Sequence, residues 1–333
     1  MANAFICGLR GLTLDDDERA FVRSAQPWGL ILFGRNCQSP EQITRLIASF
    51  HEAVGWDAPV LIDQEGGLVQ RLKAPHWQSY PPARQFGQLY DHSPEIALGA
   101  VRANARLIAH DLHSLGITIN CAPVLDVAAL TTHDAIGSRA YSADPDAVAA
   151  LAGAAAAGFL EGGVLPVMKH MPGQGRAKTD THFDPAIVDA DADTLRAVDM
   201  RPFVAMRDCP IAMTCHVIFS AWDDRPVTTS RTIIHDIVRD EIGYDGLLLT
   251  DDISMKALGG TMAEKVSSAL DAGCDLALHC NGDLAEAEAV AATAPTLTGD
   301  ALRRANAALD MRRTPMAFDV DASRALLTQV QAA

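Results

Sequence analysis

Gly246-Leu-Leu-Leu-Thr-Asp-Asp-Ile-Ser-Met255 is the stretch on which the fold turns. An apolar run of strand type passes without a break into two adjacent carboxylates, Asp251 and Asp252. Neighbouring residues of a strand face opposite sides. One carboxylate can therefore face a ligand while the other braces a loop or caps the following helix. Two like charges at a buried strand end need compensation, which argues against a purely structural role for both.

The same pattern recurs along the chain. Short apolar runs at 4–7, 29–33, 60–63, 117–122, 164–169, 211–215, 247–251 and 276–279 read as strands. Longer stretches at 40–54, 94–115 and 145–161 read as helices, the first opened by Ser39-Pro40 and the last by Asp144-Pro145. Strands separated by helices imply parallel pairing through right-handed crossovers. A closed barrel and a doubly wound open sheet share this alternation, and periodicity does not separate them. The polar residues do. Asp63, Asp126, Lys169, His170, His216 and Asp251 fall at or just beyond strand C-terminal ends, one or two per strand. In a barrel those ends converge on one mouth. An open sheet concentrates its chemistry at a switch point and usually carries a glycine-rich phosphate loop, for which Gly8-Leu-Arg-Gly11 is too short a match. The expected fold is α/β, a (β/α)8 barrel forming a single domain over residues 1–333, with a helical tail from about residue 301 on its outside.

A formal charge of -15 excludes a nucleic-acid binder of the usual kind and disfavours anionic membranes as partners. No apolar run approaches the ~18 residues of a membrane span, and the start of the chain lacks a basic, apolar export signal. The seven cysteines are odd in number, lie mostly within apolar runs and lack zinc-site spacing. They fit buried thiols in a reducing compartment, so the expected location is the cytoplasm.

Three further segments carry chemistry. Leu61-Ile-Asp-Gln-Glu-Gly-Gly67 ends a strand with two acids and a glycine pair; Asp63 there can meet a ligand or cap the next helix. Val167-Met-Lys-His-Met-Pro-Gly-Gln-Gly175 sets a Lys-His pair at a strand end, and a buried lysine is costly without a partner. Asp180-Thr-His182 follows in a loop, where alternate residues point to one side, so the carboxylate can orient the imidazole. That is the arrangement of an oriented base.

Taken in order, Asp63 to Gly67, Lys169 to Gly175, Asp180 to His182 and Thr250 to Asp252 resemble the ordered motifs of glycoside hydrolase family 3, and specifically its short single-barrel β-N-acetylglucosaminidases. The resemblance covers nearly the whole chain. It implies Asp251 as nucleophile, His182 as acid/base and Asp180 as the partner that orients His182. It further implies that Asp63, Arg71, Arg139, Lys169 and His170 bind the terminal sugar, Arg139 lying in Ile136-Gly-Ser-Arg-Ala-Tyr141. The implied reaction is retaining removal of N-acetylglucosamine from peptidoglycan fragments, N-acetylglucosaminyl-1,6-anhydro-N-acetylmuramic acid with or without peptide. The partner is thus a small carbohydrate or muropeptide. A carboxylate and an imidazole suffice for these steps, so no cofactor and no metal are expected. Departures from the family pattern are Leu68 for arginine, Gln174 for the second histidine of its motif, and Thr181 and Thr250 for serine. The first two bear on hydrogen bonding around the site. Two competing readings are a metal-dependent barrel hydrolase using His170, His182, His216, Asp180 and Asp251, and a phosphorylase variant of the glycosidase in which phosphate replaces water. A non-catalytic sugar-binding barrel is a third.

Overall fold

The computed structural model describes residues 2–130, 132–181 and 184–332. Eight parallel strands close into a barrel: β1 (Asn3–Gly8), β2 (Pro27–Leu32), β3 (Val60–Ile62), β4 (Ile119–Asn120), β5 (Leu165–Met171), β6 (Ile211–Thr214), β7 (Leu247–Asp252) and β8 (Leu276–His279). Closure is made by β1 against β8, with Phe5, Ile6 and Cys7 opposite Ala277, Leu278 and His279. All eight expected runs are strands of this barrel. The fourth is shorter than the 117–122 expected, spanning Ile119–Asn120 alone.

Side-chain alternation divides the core in two. Ile6, Ile31, Leu61, Ile119, Val167, Ile211, Leu249 and Leu278 point into the barrel and pack on one another. Their neighbours Phe5, Leu30, Val60, Ile62, Met168 and Leu248 point outward to the helical layer, against residues such as Ile43, Phe50, Val101 and Val148. The helices Pro40–Val54 and Pro145–Glu161 have the boundaries expected, with Ser39 and Asp144 capping their first turns. The helix expected at 94–115 is Pro94–Ser114.

The C-terminal segment departs from expectation in its packing. Val320–Ala332 lies outside, against Pro94–Ser114. The helix Gly299–Asp310 instead contributes Ala305 and Ala308 to the barrel's inner core beside Ala4, Trp28 and Leu297. Its small, buried face plugs the barrel rather than decorating it. Two pairings went unforeseen: a hairpin of Gln64–Gly66 with Val69–Gln70, and a parallel pair Ala186–Val188 with Val217–Phe219. Both sit beyond strand C-termini and build the mouth.

At the mouth end of the barrel, pairing slips between Met168 and Met171 on β5 and between Leu249 and Asp252 on β7. Such irregularities re-aim side chains. They fall on Lys169-His170 and Thr250-Asp251, the residues that change from wall to mouth.

Candidate active site

One pocket at the mouth is lined by Asp63, Arg71, Arg139, Lys169, His170, Asp180 and Asp251, with Phe33, Val69, Met213 and Leu278 as apolar wall. Seven of the eight site residues expected from sequence thus meet around one space; the eighth, His182, lies outside the described residues. A wider groove lined by His51, Asp57, His113 and Arg312 gathers none of them.

The floor is an ion network. Lys169 Nζ donates to Asp63 Oδ1 at 2.9 Å and stands 2.7 Å from Glu65 Oε1. Arg139 grips Glu65 as a fork, Nε to Oε2 at 2.9 Å and the terminal nitrogen to Oε1 at 2.8 Å. Arg71 donates to Asp63 Oδ2 at 3.0 Å and lies over the Phe33 ring at 4.9 Å. Burial pushes both carboxyls toward the neutral form. Lys169 and Arg71 outweigh it at Asp63 and hold that group well below the usual range. Arg139 and Lys169 do the same at Glu65, which is held at about 2. Burial likewise opposes the charge on Lys169, but the two carboxylates raise its pKa. Asp63, Glu65 and Lys169 are therefore charged at neutral pH.

Local sequence explains how Arg71 reaches this network from eight positions past Asp63. The hairpin turns at Gly66, whose φ of +102° and 2.5 Å approach of a hypothetical Cβ to Pro81 O exclude other residues. Gln64 is clamped to Asn120 through its main chain at 2.9 Å, and its Oε1 accepts the N–H groups of Arg71 and Leu72 at 2.8 and 3.0 Å. Leu68 sits on the hairpin tip, 78% exposed and outside the pocket lining. Its replacement of the family's arginine therefore leaves the hydrogen bonds of the pocket floor intact.

His170 is oriented by Asp126, which accepts from Nδ1 at 2.7 Å; the other ring nitrogen lies 3.5 Å from Arg139. Asp126 is wholly buried and also accepts the main-chain N–H groups of His170 and Gln174 at 3.3 and 2.6 Å. The Lys169-His170 and Met171-Pro172 peptide bonds are cis. Gly175 follows because a Cβ there would lie 1.8 Å from Val127 O.

The Asp251-Asp252 pair divides its work. Both line the pocket, and Asp251 Oδ1 accepts the Asp252 N–H at 2.8 Å. Asp252 braces the mouth, accepting the N–H groups of Ser254 and Cys280 at 3.0 and 3.1 Å and the Ser254 hydroxyl at 2.7 Å. Burial opposes ionisation of Asp251, yet the imidazoles of His216 and His170, the Asp252 N–H and Lys169 bring its pKa below the ordinary value. Asp251 is thus favoured as the carboxylate. Behind it, His216 donates from Nε2 to Asp252 O at 2.9 Å and meets Thr228 Oγ1 at 2.7 Å through Nδ1. Thr228 in turn lies 2.8 Å from the Thr214 hydroxyl, which accepts the Asp251 N–H at 3.3 Å. Burial lowers the His216 pKa in spite of Asp251, and this chain of bonds holds the Asp251 peptide in place. Thr250 Oγ1 accepts the Leu278 N–H at 2.9 Å, a task that a serine hydroxyl performs equally.

Sequence reasoning passed over Glu65, Asp126 and Asp252 as site residues. Their signal was present, since Glu65 lies two positions after Asp63 and Asp126 and Asp252 stand at strand ends. The partners of Glu65 and Asp126 are far off in sequence, and nothing local reveals them. Lys169 offers a direct test of the network. Lys169→Met leaves two buried carboxylates short of a cation, and breaking a buried ion pair from one side typically costs ~3–5 kcal/mol. A fall of that size in unfolding free energy by urea titration is expected. A loss under about 1 kcal/mol would show that the network does not hold the mouth together.

Among the described residues, no helix is long and apolar enough to cross a membrane, and no three His, Cys, Asp or Glu side chains are grouped to hold a metal ion. The cysteines are free, and all are buried except the half-buried Cys37.

Comparison with known proteins places these features in context. Residues 7–310 match the model of the glycosyl hydrolase family 3 N terminal domain. A β-hexosaminidase of Stenotrophomonas maltophilia is 36% identical over 285 residues, 84% of each chain, and one of Xanthomonas campestris is 35% identical over 301 residues, 89% of this chain and 90% of the other. Among solved structures, native NagZ of Neisseria gonorrhoeae superposes with a TM-score of 0.86 at 27% identity, covering 99% of this chain and 96% of that one. The β-N-acetylhexosaminidase of Beutenbergia cavernae gives 0.75 at 26% identity, covering 98% and 96%.

Proposed function

The chain belongs to glycosyl hydrolase family 3, and from that premise we propose that it is a retaining exo-β-N-acetylglucosaminidase that works as a single barrel domain. The observation that carries the reading is the ionised Asp251 at the edge of a pocket whose floor is a rigid set of charged donors and acceptors. A sugar presents many hydroxyls and little charge, so a pocket must recognise it by fixed polar groups rather than by one strong pair. Asp63, Lys169, Arg139, Arg71 and His170 supply such groups, and Arg71 Nε is buried without a partner among the described residues.

In the first step the Asp251 carboxylate attacks the anomeric carbon, forming a glycosyl ester as the bond to the leaving oxygen breaks. The His182 imidazolium gives its proton to that oxygen. In the second step neutral His182 takes a proton from water, whose oxygen attacks the same carbon and returns Asp251 as a carboxylate. Two inversions leave the configuration retained. Asp180, on the pocket wall in the same loop, orients His182. The preferred substrate in this reading is a non-reducing terminal N-acetylglucosamine of a peptidoglycan fragment carrying the anhydro sugar, with or without peptide. The buried free thiols support action in the cytoplasm.

The direct experiment compares aryl β-N-acetylglucosaminide with aryl β-glucoside. A clear preference in kcat/KM for the former is expected, and equal or better cleavage of the glucoside would defeat the substrate assignment. Adding phosphate should leave free N-acetylglucosamine as the product; appearance of the sugar 1-phosphate would identify the phosphorylase variant instead. Neither step draws on a metal, so activity is expected to survive exhaustive chelation, whereas loss reversed by zinc or manganese would favour the metal-hydrolase reading.

A further inference from the structure

We propose that Gln174 couples occupancy of the pocket to the position of the loop that carries Asp180 and His182, a role that rests on the sugar-binding reading of that pocket. Gln174 stands where the family motif has a second histidine, and it lines the same pocket as Asp251 and Asp180. Its side chain starts from a fixed point, since its N–H is held by Asp126 at 2.6 Å and the next residue must be glycine. The amide then faces two ways. Nε2 donates to Thr181 Oγ1 at 3.3 Å. Thr181 is 1% exposed, whereas Lys178, Thr179 and Asp184 on either side are exposed, so it is a point at which the described part of this loop is fastened down. A second tie, the Ala257 N–H to Thr181 O at 3.3 Å, fastens the same residue.

The other end of the amide is unused. Gln174 is 6% exposed, and its Oε1 is buried with no partner among the described residues. A buried acceptor without a donor carries a penalty that a ligand can relieve. A pyranose offers just such donors, its hydroxyls and the acetamido N–H. When one of them binds Oε1, the amide plane is fixed and Nε2 is kept on Thr181, so a filled pocket holds the acid/base loop in place. Gln174 is in this sense a positioning residue. An amide does not titrate, so this link itself involves no change of protonation, unlike an imidazole at the position.

Hydrogen–deuterium exchange of the 178–184 segment, with N-acetylglucosamine as probe, tests the proposal in wild type, Gln174→Leu and Thr181→Val. Without sugar, both variants are expected to exchange about 3–10-fold faster than wild type, the effect of one lost hydrogen bond. Saturating sugar should slow exchange in wild type but not in Gln174→Leu, whose affinity by calorimetry falls by about 3–10-fold. Thr181→Val breaks the tie from the loop side and should lose the protection with a smaller loss of affinity, which also covers the case of a poorly folded Gln174→Leu. Equal protection in wild type and both variants, or unchanged sugar-free exchange in both, would overturn the coupling. If the sugar fails to bind wild type, the substrate assignment falls, and sugar-free exchange alone decides whether the tie exists.

Discussion

Asp251→Asn is expected to abolish turnover of every β-N-acetylglucosaminide, however good its leaving group, with a fall on the order of 10⁴ or more in kcat. The substitution removes the negative charge and the nucleophilic lone pair while keeping the shape. The carbonyl oxygen of asparagine can still accept the Asp252 N–H now taken by Asp251 Oδ1 at 2.8 Å, so the strand end keeps its fastening. Lysine and histidine neighbours that favour the Asp251 carboxylate lose an ion partner, and the variant's stability should change little by comparison with its activity. Mass spectrometry supplies the independent readout: a fluorinated N-acetylglucosaminyl donor should add one sugar to wild type and none to the variant. Substantial turnover by Asp251→Asn, or a labelled peptide that excludes residue 251, would remove Asp251 from the nucleophile's role. Asp252→Asn makes the contrast. Asp252 spends its oxygens on Ser254 and Cys280, so its loss should appear in stability and in the placing of the mouth rather than as complete inactivity.

His182→Ala is expected to separate substrates by leaving group. A nitrophenolate departs without a proton, so the variant should still form the glycosyl-enzyme from an activated aryl donor. The natural disaccharide leaves as an alkoxide unless protonated, and its cleavage should fall by the ~10²–10⁴ typical of lost acid/base catalysis. With no base to activate water, hydrolysis of the intermediate slows as well. A burst of nitrophenol followed by a low steady rate is the expected trace. Asp180→Ala should give a milder version of the same pattern, because Asp180 orients a proton carrier without being one. Equal loss for activated and natural donors would assign His182 to binding rather than proton transfer. The two substitutions thus give opposite answers to one question, whether a better leaving group rescues the enzyme.

Much of this molecule is legible in its local order. Strand alternation and helix caps are short-range properties, so the eight strands and the helices at 40–54, 94–114 and 145–161 can be found from neighbouring residues alone. Polar residues placed one step past apolar runs likewise announce a mouth, and the four ordered motifs name the residues around it. What could not be read depends on distance. Barrel closure rests on Ile6 lying beside Leu278, a pairing between the two ends of the chain that leaves no trace in either segment. Glu65 joins the ion network behind the pocket only because Arg139, from the turn Gly137–Arg139, and Lys169, from β5, arrive beside it. Leu68 and Gln174 both bear on hydrogen bonding by residue type, but only the fold turns Leu68 out to solvent and sets the Gln174 amide between the pocket and Thr181. Charge, shape and hydrogen-bonding capacity are properties of single residues and are carried by the sequence. Whether a buried charge is paired or a buried acceptor is left waiting depends on what the closed barrel brings within 3 Å or so, and that is settled by packing.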